Sequence, residues 1–199
     1  MFSIQYRKYL LILLFAIIWL NSFSQHKKYS VYPIAFYNVE NLFDTERDTS
    51  IQDEEFTPKG GMNWTLDKYW KKQEKIASVL SSIGRKYGKS GPVIIGLSEI
   101  ENRKVIDDLI KQSAIQENGY EVVHYESPDR RGIDVAMLYN PKLFRLVHAQ
   151  VLPYHLDSKP EYVTRDVLMV KGVIANEMVH VFINHWPSRF GSKSSELRE

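Results

Sequence analysis

The sequence predicts an α/β protein whose sheets are covered by helices on their outer faces, and three observations carry that prediction. The run Pro92-Val93-Ile94-Ile95-Gly96-Leu97-Ser98 is apolar without alternation, as in a strand buried on both faces. A stretch from Thr65 to about Ile83 repeats apolar residues at helical spacing and lies between that strand and an earlier one. Five further strand-like runs then follow one another, and a β-α-β start followed by a meander calls for packed sheets with helices outside them.

In chain order, Ile34 to Val39 reads as the first strand, with Pro33 tolerated at its start. Asp44 to Asn63 is polar and acidic, with Pro58 and Gly60-Gly61 as turn signals. Asp44, Glu46, Asp48 and Glu55 match ligand positions of a calcium loop, but Thr49 stands where such a loop requires glycine, so a solvated acidic loop is expected. Thr65 caps the first helix, whose stripe is Tyr69, Ile76, Val79, Leu80 and Ile83, while Lys68, Lys71, Lys72 and Lys75 read as its wet face. Gly88 to Gly91 breaks that helix. The buried strand ends at Glu99, and Asn102 caps a second helix that turns Val105, Ile106, Leu109 and Ile110 inward. The meander comprises Tyr120 to Tyr125, Ile133 to Tyr139, Arg145 to Leu152, Arg165 to Ile174 and Met178 to Asn184, with turns at Asn140-Pro141 and Asn176-Glu177.

The 199 residues are 44% hydrophobic and 13% aromatic, which fits one globular domain and excludes a disordered or fibrous chain. Residues 1–24 read as a signal peptide: Arg7 and Lys8 precede an apolar run from Leu10 to Leu20, and small residues at Ser22 and Ser24 suit cleavage before Gln25. That run is short for a bilayer span, so the expected product, residues 25–199, is exported to the periplasm or beyond with no stable membrane association. Of 26 basic residues, losing Arg7 and Lys8 leaves 24 against 24 acidic ones, so any polyanion must be held by a local patch. With no cysteine there is no disulfide framework, and a packed core must supply stability.

Polar residues stand where strands end or where they should be apolar. Asn38 and Glu40 leave the first strand, Glu99 the buried one, and His185 the last, which Pro187 stops. Asp134 interrupts an apolar run, where an unpaired carboxylate would cost several kcal/mol. It therefore needs a partner, and His185 is the expected one, because a carboxylate on one ring nitrogen raises the basicity of the other. Arg165 offers a fork for phosphate. Carboxylates and an amide without cysteine suit Mg2+, Mn2+ or Ca2+. The set makes sense for phosphoryl chemistry, with a divalent ion on Glu99 polarising a phosphate oxygen.

Four segments, Tyr37-Asn38-Val39-Glu40-Asn41-Leu42-Phe43, Leu97-Ser98-Glu99-Ile100-Glu101-Asn102, Arg131-Gly132-Ile133-Asp134-Val135-Ala136 and Asn184-His185-Trp186-Pro187-Ser188-Arg189, resemble the successive motifs of the endonuclease/exonuclease/phosphatase superfamily, and of its exported bacterial members in particular. The resemblance implies a four-layer α/β/β/α sandwich of the deoxyribonuclease I-like type and Mg2+-dependent hydrolysis of phosphodiesters, nucleic acid foremost. By position it implies metal binding by Glu99, assisted by Glu40, and catalysis by His185, Asp134 and Asn38. Phosphate contacts then fall to Arg165 and Asn38, and Arg131 has no assigned role. Family members continue into a Gly-Asp-Phe-Asn motif and a terminal Asp-His pair. Neither occurs by Glu199, so the expectation is an N-terminal portion of the enzyme, with a phosphate-ester-binding fragment, or a lipid phosphodiesterase or phosphatase, as alternatives.

Overall fold

The computed structural model describes residues 7–9, 29–87, 91–155, 157 and 159–187. Two compact units are present, Met1–Val31 and Tyr32–Glu199. In the first, residues 7–9 are helical and exposed, and the rest of the expected signal peptide lies outside the described residues. Among the described residues no helix is long and apolar enough to cross a membrane.

The second unit contains two sheets. Strands β1 (Ile34–Leu42), β2 (Ile94–Ile100), β3 (Glu121–His124) and β4 (Asp134–Tyr139) form one in the order β1-β2-β4-β3. Strands β5 (Phe144–Leu152), β6 (Val167–Ile174) and β7 (Glu177–Ile183) form an antiparallel meander. β1 and β2 are parallel because helix α1 (Leu66–Ser82) connects them, whereas β4 returns antiparallel between β2 and β3. The Thr65 hydroxyl caps α1 by accepting from the Lys68 amide, and Asn102 caps α2 (Arg103–Ile110) by accepting from the Val105 amide. Ala175 and Asn176 close the β6–β7 hairpin with φ of 50° and 70°, which match the right-handed twist of the flanking strands.

Two cores result. Leu97, Ile100, Val39, Leu42, Ala136 and Leu138 face Tyr69, Ile76, Leu80, Val105 and Leu109 of the helices. Ile94, Val135 and Met137 face Leu168, Val170 and Ile183 of the second sheet. The described residues thus build the α/β/β layers of an α/β sandwich. In the stripe expected of α1, Val79 is exposed and its place is taken by Ala77 and the buried Gln73, whose amide donates to the Val105 carbonyl.

The acidic segment is not the solvated loop expected of it. Asp44 and Asp53 are buried, because Arg47 pairs with Asp53 and Lys104 reaches Asp44 at 3.3 Å. Its short helical turn, Glu54–Phe56, stacks Phe56 on Phe43. Glu101 accepts a hydrogen bond from the Asp44 amide at 2.6 Å, and burial, reinforced by the Asp44 and Asp53 charges, pushes its carboxyl up to about 8.

The sheets pack closely at Gly96, where a Cβ would lie 3.3 Å from Ile183 Cγ1 of the facing sheet and 2.9 Å from the ring of Phe36 on the neighbouring strand. Ile183 is two residues before His185, so this contact sets how near the end of β7 comes to the end of β2. We expect Gly96→Val to cost about 1–3 kcal/mol by overpacking, seen as a fall in Tm, and an unchanged Tm refutes the close approach. For Glu101 the sign is that of an acid raised by folding: its burial costs nothing below pH 4.5 and destabilises increasingly up to about pH 8. The Tm advantage of Glu101→Gln over the wild type should therefore be absent at pH 4, grow through pH 6 and level off above pH 8. A constant difference across that range contradicts the assignment.

Candidate active site

The site forms where β1 and β2 both leave regular geometry at the same level. Asn38 pairs with Ser98, after which the register slips and resumes at Leu42 and Ile100. Glu40, Asn41 and Glu99 bridge the slip in the left-handed region, at φ of 57°, 60° and 65°. Such conformations cost of order 1–3 kcal/mol in a non-glycine residue and persist only where the surroundings fix them. Here they are fixed by hydrogen bonds. The Glu40 amide donates to Asn38 Oδ1 at 2.7 Å, the Asn41 amide to Glu99 Oε2 at 2.9 Å, and Asn38 Nδ2 to Glu99 Oε1 at 3.1 Å.

From the other sheet, His185 Nε2 reaches Glu99 Oε1 at 3.1 Å. The hydrogen bond from His185 is the largest influence on Glu99, and with those of Asn38 and Asn41 it outweighs burial and holds the carboxyl down at about 2. Glu99 is thus an anion at any physiological pH, partly open to solvent, and fits a hard divalent cation. Glu40 stands beside it with its carboxylate exposed, and Asn38 Oδ1 keeps a second lone pair.

Asp134 does not join this set. Val135, Met137 and Tyr139 face the second sheet, so alternation turns Asp134 to the helix side with Ala136 and Leu138, away from Asn38 and His185. It bonds His124 Nε2 at 3.0 Å and accepts from the Ser127 hydroxyl and amide. The expected Asp134–His185 pair is therefore replaced by two pairs, Asp134–His124 and Glu99–His185. Ligand atoms of His124, Glu126 and Asp134 lie within 4.8 Å of one another, a second group able to hold a cation.

Arg165 precedes β6 rather than opening it, and its fork is partly occupied. Nη1 meets Asp129 Oδ2 at 3.0 Å and Nε donates to the His185 carbonyl, so this buried guanidinium braces the histidine's backbone. Arg131 Nε lies 3.6 Å from Asp129 Oδ1. Ser188 and Arg189 of the last motif lie outside the described residues.

Lys72 is the residue that sequence periodicity misplaced. Instead of facing solvent it donates to the carbonyls of Glu40 and, at 3.1 Å, Asn41, with Nζ 5.6 Å from the Trp64 ring centre. Burial lowers its pKa, opposed by the charges of Glu40 and Glu99. A cation anchoring two left-handed carbonyls under the metal-binding candidates is a positioning residue. Lys72→Met should strand those carbonyls at about 1–3 kcal/mol, lowering Tm by roughly 3–10 °C at this chain length, while Lys72→Arg recovers most of the loss. Equal Tm values for the three proteins rule the anchor out.

The sequence matches the endonuclease/exonuclease/phosphatase family over residues 33–198. A crystal structure of humanized D. rerio TDP2 carrying 14 mutations superposes with a TM-score of 0.51 at 12% identity, covering 83% of this chain and 51% of that one. A crystal structure of D. rerio TDP2 complexed with single strand DNA product gives a TM-score of 0.39 at 14% identity, covering 53% of this chain and 37% of that one. The chain thus spans about half the length of the first of these structures, whose likeness is one of fold. Among curated proteins nothing matches. With more than half its length matched by one family, from the first strand through the histidine that ends the last, the chain belongs to the endonuclease/exonuclease/phosphatase family.

Proposed function

We propose that this chain belongs to an exported, divalent-metal-dependent phosphodiesterase of nuclease type, with residues 1–24 as its signal peptide. Members of the family are generally hydrolases of phosphate esters. The observation that carries the reading for this chain is the Glu99 carboxylate, held ionised between Asn38, the Asn41 amide and His185 at the facing ends of two sheets.

In this reading Glu99 and Glu40 hold Mg2+, with Mn2+ or Ca2+ as substitutes, and the ion supplies charge stabilisation at the phosphate. The Asn38 amide orients Glu99 and lies within reach of a phosphate oxygen. His185, which donates from Nε2 to Glu99 while its carbonyl is held by Arg165, places at the cleft an imidazole whose other ring nitrogen can take up a proton. Arg165, while bracing the His185 backbone, adds positive charge for a phosphate at this end of the site. Asp134 acts from the helix side through His124 and Ser127 and supports the strand end. The hydrolysis reading implies water attacking phosphorus in line with the departing oxygen, which leaves with a proton.

The test is a cleavage assay on DNA with Mg2+. The wild type should cut, and Glu99→Gln and His185→Ala should each lower the rate by roughly 100-fold or more, as removal of a group acting on transition-state charge does. Binding of DNA by the wild type without turnover overturns hydrolysis and leaves a phosphate-ester-binding protein.

A further inference from the structure

Beside the His185 end of the site lies a cavity of about 360 Å³ lined by Asp129, Arg130, Arg131, Tyr162, Arg165 and Pro187, together with Val163. Its size is that of a small-ligand site. Three arginines line it, with one carboxylate among them. Asp129 is buried and committed, since Oδ2 takes Arg165 and the Thr164 hydroxyl and Oδ1 takes the Arg131 amide. Arg130 and Arg131 are exposed, and the Arg130 side chain has no hydrogen-bond or ion-pair partner among the described residues. The tight loop that presents them is held by the Gly132 amide donating to the Asp129 carbonyl, with Gly132 at φ 66°, where a Cβ would strike Ile51. The fixed backbone of this loop thus places two exposed cationic side chains at the cavity.

The cavity adjoins the backbone that carries the site's histidine, because Arg165 binds the His185 carbonyl and Pro187 follows His185 by two residues. Between them Trp186 exposes half its surface. Arginines near an exposed indole fit a backbone of repeated phosphates carrying flat bases, whereas a single phosphate ester would leave the second arginine and the indole unused.

We infer that Arg130 and Arg131 form a second phosphate subsite, which holds the phosphate next to the one at Glu99 and selects polymeric single-stranded nucleic acid over small phosphate esters. This rests on the phosphodiesterase reading for the identity of the first phosphate, but its test does not depend on turnover.

The experiment measures binding of a fluorescein-labelled single-stranded DNA 12-mer by anisotropy in EDTA, across a salt series. The proteins are the wild type, Arg130→Ala, Arg130→Ala/Arg131→Ala and Arg130→Lys/Arg131→Lys. The double alanine variant should bind at least 10-fold more weakly, and its slope of log K against log salt should flatten by about 0.7–1.4, the change for one or two single-strand phosphates. The lysine pair should recover most of the slope. Arg130→Ala, which breaks no contact in the fold, should show part of the loss and guards against misfolding of the double variant. Equal affinity and slope in all four proteins overturn the subsite even if the wild type cuts DNA. Loss of binding in the alanine variants upholds it even if nothing is cut, so the two readings fail separately. Binding of the wild type to phosphatidylserine vesicles but not to the 12-mer overturns it in favour of a lipid surface.

Discussion

The Glu99–His185 hydrogen bond is the constraint on which the site depends, because it is the point where the two sheets meet chemically. Each partner comes from a different sheet, and each sheet delivers its residue by ending. β2 delivers Glu99 through a left-handed kink, and β7 delivers His185 through the break before Pro187. Their separation is set by the apolar packing behind them, where Gly96 lets Ile183 close against the first sheet. A carboxylate at the mouth of such a cleft would ordinarily be raised by burial. Three donors reverse that balance, and the result is a fixed negative charge at the cleft.

Keeping that charge in place requires strain, and the strain is distributed. Three non-glycine residues with positive φ cluster here and each is tied by hydrogen bonds: the Glu40 amide to Asn38, the Asn41 amide to Glu99, and the Glu99 side chain to Asn38 and His185, while Lys72 holds the carbonyls of Glu40 and Asn41. A bulge of this kind turns side chains out of the alternating pattern. It explains how Glu99, which follows the buried Ser98 in an otherwise apolar strand, comes to face the cleft at all.

Much of this was legible in the sequence, and for a physical reason. Asn38, Glu99 and His185 are polar residues at the ends of apolar runs, and period-two alternation locates strand ends well. The helix caps Thr65 and Asn102 were equally visible, since capping depends on neighbours three residues away. What failed was everything decided across long separations. Asp134 needed a partner and found one, but strand alternation gave it His124 from β3 rather than His185 from β7. Lys72 sits on the polar side of its own helix, and only the return of β1 beneath that helix converts it from a solvated residue into an anchor. Asp44 and Asp53 are acidic in a polar segment, yet Lys104 and Arg47, distant and near, allow both to be buried.

The same distinction governs charge. A formal net charge of +2 over the chain, close to zero once Arg7 and Lys8 are set aside, argues against long-range attraction of a polyanion. Yet the fold sorts its ions by neighbourhood. Around Glu99 and Glu40 it gathers anions with one neutralising lysine beneath, and around Asp129 it gathers three arginines. Within a Debye length of about 10 Å at 0.1 M salt, a ligand senses these groups rather than the sum. A phosphodiester approaching the cleft would meet repulsion from the two glutamates until a divalent ion covers them, and attraction from the arginines throughout. Balanced composition is therefore compatible with anion recognition, provided that cation and polymer are bound at adjoining places, and the Arg165 bridge to the His185 backbone joins those places in the fold.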